Sequence, residues 1–134
     1  MTLNSSTRRF PARLASLVDV LSHTVAICKQ AGLNNDEKLR VELVVEELFT
    51  NSVLHGYGQD CDEPVWIAAD NNNGALCITY QDAAPAFNPL DRPADRVAPV
   101  IGGLGVTLVE SFADTRYLYQ DGRNTLILTF PPSS

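Results

Sequence analysis

The chain has 134 residues, of which 45% are hydrophobic, and its formal net charge at pH 7 is −6. This length predicts a single domain over residues 1–134, with about two-thirds of the unfolded surface buried in one core. The acidic balance and the lack of a dense basic run argue against a nucleic-acid-binding protein. No apolar run is long enough to span a membrane, and MTLNSSTRRF lacks the apolar stretch of a signal peptide, so we expect a cytoplasmic protein with no membrane contact.

The three cysteines, Cys28, Cys61 and Cys77, are far apart and include no Cys-x-x-Cys pair. An odd number at this spacing argues against both a disulfide framework and a zinc site, so inert thiols are expected. Six of the ten Lys and Arg residues fall within residues 1–40. We interpret this weakly basic third as a solvated face, with a protein-docking surface as the alternative.

Apolar residues at helical spacing predict three helices. The first covers residues 13–31 and ends at Gly32, which interrupts the pattern. The second begins after the capping side chains of residues 34–36, Asn-Asn-Asp, and continues to Gly56. The third covers residues 105–113.

Runs of β-branched and aromatic residues predict four strands in two hairpins, which turn at residues 70–74 and at Asp121-Gly122. The N-terminal TRRFPA is a candidate for an additional edge strand. Residues 82–105 are rich in proline, glycine and charge and form an unusually long connection, which predicts a functional or mobile loop. Helices segregated from a mostly antiparallel sheet predict an α+β two-layer sandwich. The four strands are residues 64–68, 75–80, 116–119 and 125–130.

Glu47, Asn51 and His55 follow one another at four-residue steps within the apolar segment of residues 42–58, and such steps place side chains on one face of a helix. A helix this apolar is mostly buried. An unpaired buried carboxylate is costly, so Glu47 needs a partner, a metal-bound ligand or access to water. In the alternative interpretation, Asn51 and His55 satisfy nearby backbone groups and Gly56 ends the helix as a left-handed cap.

Two further features are candidates for a ligand site. Asp82 lies at a strand end, where a carboxylate can accept hydrogen bonds from the amino group of a base, although a turn-forming Asp is the commoner role. The glycine cluster IGGLG, with Gly102, Gly103 and Gly105, opens the third helix. Glycines at a helix start let backbone amides approach a phosphate, and an ordinary flexible loop is the alternative.

In this order and spacing, the segments ELFTNSVLHGY, DAAPAFNPL and GGLGVTLVESFAD resemble the N, G1 and G2 boxes of the Bergerat (GHKL) ATP-binding fold. Within that fold they are similar to the small anti-sigma serine kinases of the RsbW type, and the resemblance extends from Pro11 to Phe130. It implies a two-layer α/β sandwich in which helices cover one face of the sheet. It also implies ATP and Mg²⁺ as cofactors.

The resemblance implies a role for each motif residue. Asn51 occupies the place of the family's magnesium ligand, and hard oxygen ligands suit that ion. Glu47 corresponds to the general base that accepts the proton of the attacking hydroxyl. Structural roles are at least as well supported for His55 and Glu46. The lid glycines at the phosphates are Gly102, Gly103 and Gly105.

On the base side, the resemblance assigns Asp82 to the adenine amino group and Thr125 to the support of an adenine-binding water. Ala84 stands where the family often has glycine, which predicts a narrower approach to adenine. Residues 100–101 are Val and Ile, where an arginine beside the lid glycines would grip the terminal phosphate. Unless Arg96 replaces that arginine from farther up the loop, the chain would bind nucleotide yet transfer phosphate slowly.

The function implied by the resemblance is that of a cytoplasmic serine/threonine kinase in a bacterial partner-switching system. Such a kinase would phosphorylate a small STAS-type antagonist protein, otherwise sequester a sigma factor or another regulator, and form a homodimer. A non-catalytic nucleotide-binding module that docks a partner is the alternative, favoured by the missing arginine. The ATPase domain of a histidine kinase is disfavoured, because His23 lies within the domain's own first helix and no dimerisation helix is expected.

Overall fold

The computed structural model describes residues 7–87 and 109–132. A 3-10 turn, Leu14–Ser16, leads into the first helix, and a π turn, Ser52–Gly56, continues the second. Of the predicted third helix, residues 109–112 are helical, and residues 105–108 lie outside the described ranges. The strands are β1 (Arg8–Pro11), β2 (Pro64–Asn72), β3 (Ala75–Asp82), β4 (Asp114–Gln120) and β5 (Arg123–Phe130), and the helices are α1 (Leu17–Gln30) and α2 (Asn35–Asn51).

The five strands form one antiparallel sheet in the order β1-β2-β3-β5-β4. Both predicted hairpins are present, and each turns through two residues with positive φ, Asn73-Gly74 (54° and 87°) and Asp121-Gly122 (55° and 74°). Two-residue turns of this kind match the right-handed twist of the flanking strands. The predicted N-terminal edge strand is confirmed as β1, which pairs with β2.

One face of the sheet is covered by α1 and α2, and the core lies between the two layers. Burial alternates along β3, where Leu76, Ile78, Tyr80 and Asp82 are buried and the residues between them are half-buried. Period-two burial is the pattern of a strand with one covered face. The predicted α+β two-layer sandwich is confirmed, and Asp82 ends an otherwise apolar buried row. The core is centred on Phe49, Ile67, Ile78, Leu128 and the valines of α2.

Helix α2 has a polar cap at its start and a change of helical geometry at its end. The Asn34 side chain accepts a hydrogen bond from the Glu37 amide, and the Glu37 carboxylate accepts one from the Asn34 amide, both at 2.8 Å. This reciprocal capping box confirms the predicted start of the helix. At the other end, the left-handed residue after the π turn is Gly58, with φ of 86°. The alternative in which Gly56 is the left-handed cap is therefore wrong.

Cys28, Cys61 and Cys77 are all free thiols. Burial raises the pKa of Cys28 to about 11, which favours its protonated form at neutral pH. Across residues 7–87 and 109–132, no three His, Cys, Asp or Glu side chains are grouped as a metal site. The helices in those ranges are too short or too polar to cross a membrane.

Candidate functional site

The end of helix α2 and the end of strand β3 meet at Gly56. A Cβ atom built on Gly56 would lie 3.6 Å from Asp82 Oδ2, 3.8 Å from the Asn51 carbonyl oxygen and 3.2 Å from the Ala84 methyl group. A π turn inserts an extra residue into the helical turn, and such insertions are frequent at functional sites. Here the insertion places the backbone that follows Asn51 directly against the predicted base-binding acid.

The Asp82 carboxylate is buried and held by three hydrogen-bond donors. Ser52 Oγ donates to Oδ2 at 2.7 Å, while Asn124 Nδ2 and the Ala84 amide donate to Oδ1 at 2.9 and 3.2 Å. Each carboxylate oxygen can accept about two hydrogen bonds. Oδ1 is therefore saturated, and Oδ2 keeps one acceptor direction for a further donor. Asp82 makes the turn contact expected of a strand-end acid and still retains acceptor capacity.

Ser52 lies on the π turn that continues α2, and its hydroxyl contacts both Asp82 and Tyr80. Tyr80 Oη lies 2.7 Å from Ser52 Oγ and 2.9 Å from the Leu48 carbonyl oxygen, to which it can also donate. Because Ser52 gives its one proton to Asp82, the one proton of Tyr80 is shared between Ser52 Oγ and the Leu48 carbonyl oxygen. Burial raises the pKa of Tyr80 well above its usual value, so it stays protonated and can donate. The chain of hydroxyls fixes Asp82 from the helix side.

Asn124 fixes Asp82 from the sheet side, and it is the neighbour of Thr125, which the resemblance assigns to an adenine-binding water. Asp82 and Asn124 are directly opposite each other on β3 and β5, and opposite residues point to the same face. The Thr125 hydroxyl lies on the other face, where it accepts a hydrogen bond from Gln81 Nε2 at 3.1 Å. The structure therefore does not bring Thr125 to the Asp82 carboxylate.

Glu47 and Asn51 lie one turn apart at the end of α2, as the four-residue spacing predicts. Within the described residues, Glu47 Oε2 and Asn51 Oδ1 are buried and have no hydrogen-bond partner. Such atoms cost roughly 1–3 kcal/mol each unless a ligand satisfies them. Burial raises the pKa of the Glu47 carboxyl, partly opposed by the Asn51 amide and by His55. Glu47 Oε2 and Asn51 Oδ1 each have room in their coordination for a hydrogen-bond donor or a metal ion.

His55 belongs to the predicted polar row but is exposed. The row is interrupted because α2 gives way to the π turn after Asn51, which changes the angle at which the next residues project. His55 acts on Glu47 only by weak electrostatic attraction. The structure brings Glu47 and Asn51 together and leaves His55 outside the buried pair.

Tyr57 fastens the segment after β3. Its hydroxyl donates to the Pro64 carbonyl oxygen at 2.6 Å and accepts a hydrogen bond from the Ala83 amide at 2.7 Å. The next residue, Ala84, is almost fully buried, and its methyl group would lie only 3.2 Å from a Cβ atom on Gly56. Alanine stands at position 84, where the family often has glycine, and its methyl group fits there because residue 56 on the facing π turn is glycine.

Residues 10–130 match the family model of the histidine kinase-like ATPase domain. The chain belongs to that family. The match covers all the described site residues, and the GHKL resemblance inferred from the motifs is confirmed.

Curated relatives of the chain carry the name anti-sigma F factor. Those from Bacillus velezensis and Bacillus subtilis are 30% and 29% identical over 84 residues, which cover 59% of this chain and 58% of theirs. The relative from Halalkalibacterium halodurans is 30% identical over 94 residues, which cover 66% of this chain and 64% of its own. The chain therefore spans about three-fifths of the length of these relatives. They agree with the RsbW-type resemblance.

A histidine kinase-like ATPase domain implies ATP binding, commonly with Mg²⁺, and the residues present fit that ion. Mg²⁺ prefers oxygen ligands and usually takes one or two protein ligands together with substrate phosphates and water. The unpartnered Asn51 Oδ1 is such an oxygen. Because no cluster of three carboxylates, histidines or cysteines occurs among the described residues, phosphates would supply much of the coordination.

The predicted phosphate side of the site lies outside the described residues. Gly102, Gly103 and Gly105 fall there, as do Arg96 and residues 100–101, where an arginine would grip the terminal phosphate. The described part of the site therefore consists of Asp82 with its hydrogen-bond donors and of the pair Glu47 and Asn51.

Sequence reasoning missed three residues of the site: Ser52, Tyr57 and Asn124. Ser52 could have been noticed because it directly follows Asn51 on the same predicted helix. Tyr57 and Asn124 gave no local signal, because their partners, Ala83 and Asp82, lie 26 and 42 residues away in the chain.

Proposed function

We propose that the chain is an ATP-dependent serine/threonine protein kinase and anti-sigma regulator, which phosphorylates a small STAS-type antagonist protein. The observation that carries the proposal is the pair of buried, unpartnered oxygens on Glu47 and Asn51, next to the anchored acid Asp82. A general base, a magnesium ligand and a base-reading carboxylate are the residues that phosphoryl transfer from ATP needs on the helix and base sides.

Glu47 is the residue that moves a proton. It would accept the proton of the substrate serine or threonine hydroxyl as the new oxygen–phosphorus bond forms and the bond from the γ-phosphorus to the ADP oxygen breaks. Burial raises the pKa of this carboxyl, and a carboxylate with a raised pKa is the stronger base. Its unpartnered oxygen, Oε2, is free to receive that proton.

Asn51 would hold Mg²⁺ through Oδ1. The ion, when bound with ATP, neutralises charge on the phosphates during transfer. Asp82 would accept a hydrogen bond from the adenine amino group at the remaining acceptor position of Oδ2. An oxygen acceptor there favours the 6-amino group of adenine over the 6-carbonyl oxygen of guanine.

The partners follow from the relatives' names and from the family resemblance. The relatives are named for action against a sigma factor, which supports a sigma factor or similar regulator as the protein that this chain sequesters. A homodimer and a cytoplasmic location are proposed on the same basis. In this scheme, phosphorylation of the antagonist decides which partner the chain holds.

The test is transfer of label from γ-labelled ATP to an antagonist protein from the same genome. The antagonist is mixed with the purified chain and Mg²⁺, and phosphoserine or phosphothreonine is mapped by mass spectrometry. A control replaces the predicted acceptor residue of the antagonist with Ala. The proposal predicts label on the antagonist that disappears in the control and without Mg²⁺; absence of label from every antagonist protein of that genome would contradict it.

A second candidate function is a nucleotide-binding regulatory module that sequesters a protein without efficient transfer. It is favoured by Val100 and Ile101 in the sequence, where an arginine would stabilise the transferring phosphoryl group. This module would bind Mg-ATP and its partner as tightly as a kinase does but give no phosphorylated product. A nucleotide-dependent pull-down without label transfer would select it.

A further inference from the structure

Asn124 joins three parts of the site through one side chain. Its Nδ2 donates to Asp82 Oδ1 at 2.9 Å, to the Ala84 carbonyl oxygen at 3.0 Å and to the Pro85 carbonyl oxygen at 3.1 Å. Its Oδ1 accepts from the Phe87 amide at 2.8 Å and from the Tyr117 hydroxyl. The side chain is 8% exposed. One amide thus ties the acid to the segment after β3 and to strand β4.

Only one orientation of this amide suits its surroundings. Nδ2 faces three oxygen atoms, and Oδ1 faces an N–H and an O–H group. If the amide were flipped, its oxygen would face three acceptor oxygens, and its NH₂ group would face an N–H and an O–H donor. The donor that reaches Asp82 is therefore fixed by four other contacts.

The fixed donor determines what Asp82 offers to a ligand. With Asn124 and the Ala84 amide on Oδ1, and Ser52 on Oδ2, only Oδ2 keeps an acceptor direction. Gly56 has no side chain to fill the adjacent space. A free or rotating carboxylate would present several acceptor directions, whereas this one presents a single direction.

We propose that Asn124 is the positioning residue that sets base selectivity at this site, by holding Asp82 so that one acceptor direction remains for the amino group of a 6-aminopurine nucleotide. The inference rests on the proposed nucleotide-binding function. If Asn124 served only to hold the segment after β3 in place (loop pinning), its loss would lower the affinity for all nucleotides equally. A role in base selectivity predicts unequal losses.

The test compares ATP with ITP, which differ at the 6-position of the purine, by calorimetric titration with Mg²⁺. Wild type is expected to prefer ATP. Asn124→Leu removes the donor to Asp82 and should lower the ATP-to-ITP affinity ratio by ~10- to 100-fold, the effect of one hydrogen bond to a charged acceptor. Asn71→Leu is the matched control, since Asn71 supports only the β2–β3 turn, through the Gly74 amide. It should keep the ratio.

Asn124→Asp replaces the donor to Asp82 with little change of shape. The new carboxylate keeps an acceptor for the Phe87 amide, but it puts an oxygen where Nδ2 lay, 2.9 Å from Asp82 Oδ1 and 3.0 and 3.1 Å from the Ala84 and Pro85 carbonyl oxygens in the wild type. At pH 8 the repulsion should remove the preference for ATP. As the pH falls, a proton shared by the two carboxylates restores a donor, and the preference should return.

Three tyrosines also surround this pair of residues, Tyr57, Tyr80 and Tyr117. Burial raises the pKa of each, so none titrates between pH 5 and 8. Hydrogen exchange without nucleotide supplies a second readout. Exchange at the Phe87 amide should quicken in Asn124→Leu and stay slow in Asn124→Asp, which keeps the acceptor for that amide.

The outcomes distinguish this inference from the proposed function. A wild type that prefers ATP, together with an Asn124→Leu variant that keeps the same ATP-to-ITP ratio, overturns the inference and leaves the function standing. Equal loss of affinity for both nucleotides also overturns it, in favour of loop pinning. A wild type that binds neither nucleotide overturns both.

Discussion

Replacing Asp82 with Asn tests the base side of the site, and the contacts of the carboxylate determine what the amide can do. Oδ1 faces two N–H donors, from Asn124 and Ala84, so the oxygen of the new amide must lie there. The NH₂ group then takes the place of Oδ2. The Ser52 hydroxyl can reorient to accept from it and donate to Tyr80, 2.7 Å away, so the fold should survive.

The reoriented amide presents a donor where the wild type presents an acceptor. Adenine's amino group would then face another donor, with loss of a hydrogen bond to a charged acceptor worth ~1.5–3 kcal/mol, or roughly 10- to 150-fold in the dissociation constant for ATP. The 6-carbonyl oxygen of guanine can accept from the new donor. Affinity for GTP should therefore hold or improve, and the ATP-to-GTP ratio should fall by at least as much as the ATP affinity.

Calorimetric titration of both nucleotides with Mg²⁺ measures this ratio. Asp70→Asn is the matched control, since Asp70 makes the same kind of turn contact, to the Asn71 amide, at the far end of strand β2. It should leave the ratio unchanged. An unaltered ratio in the Asp82 variant would show that Asp82 is only a turn residue and would refute the assignment of the base side.

Three other predictions concern the helix side. Asn51→Ala should abolish the Mg²⁺-dependent part of ATP binding with little loss of stability, because its buried Oδ1 has no described partner; unchanged affinity with Mg²⁺ would return Asn51 to a structural role. Gly56→Ala should cost ~1–3 kcal/mol of stability, because the new Cβ would lie 3.2 Å from the Ala84 methyl, and Ala84→Gly should recover most of this in urea unfolding; no recovery would refute the contact. Glu47→Gln should raise the melting temperature at pH 8, because the wild-type folded state must hold a charged carboxylate in a buried place. The gain should shrink as the pH falls through the raised pKa of Glu47, because the wild-type carboxyl is then uncharged in the folded state too. A gain that does not depend on pH would contradict an ionised, buried Glu47.

The parts of the structure that could be predicted are those fixed by local sequence. The Asp121-Gly122 turn, the Asn34 cap and the shared face of Glu47 and Asn51 each depend on residues within four positions of one another. Local spacing therefore predicts both hairpins and the shared face of Glu47 and Asn51.

The parts that escaped prediction depend on tertiary contacts. The family resemblance assigns Thr125 to an adenine-binding water, whereas the structure places its neighbour Asn124 against Asp82. Neighbouring strand residues point to opposite faces, and the pairing of β3 with β5, which decides the face, is not visible in the sequence. The π turn likewise lies beside Tyr57, whose hydroxyl binds Pro64 and Ala83. Helical spacing alone therefore extended the polar row to His55, which the structure leaves outside the site.

The rate of phosphoryl transfer by Glu47→Gln tests the proposed kinase function most directly. This change keeps the shape of the side chain and removes the basic carboxylate, whose raised pKa suits it to accept a proton. With wild type and variant both saturated with Mg-ATP, single-turnover transfer to the antagonist protein is followed by mass spectrometry. A fall of ~10²–10⁴-fold in the transfer rate at unchanged ATP affinity is the predicted result; transfer by the variant at the wild-type rate would contradict the assignment of Glu47 as the general base.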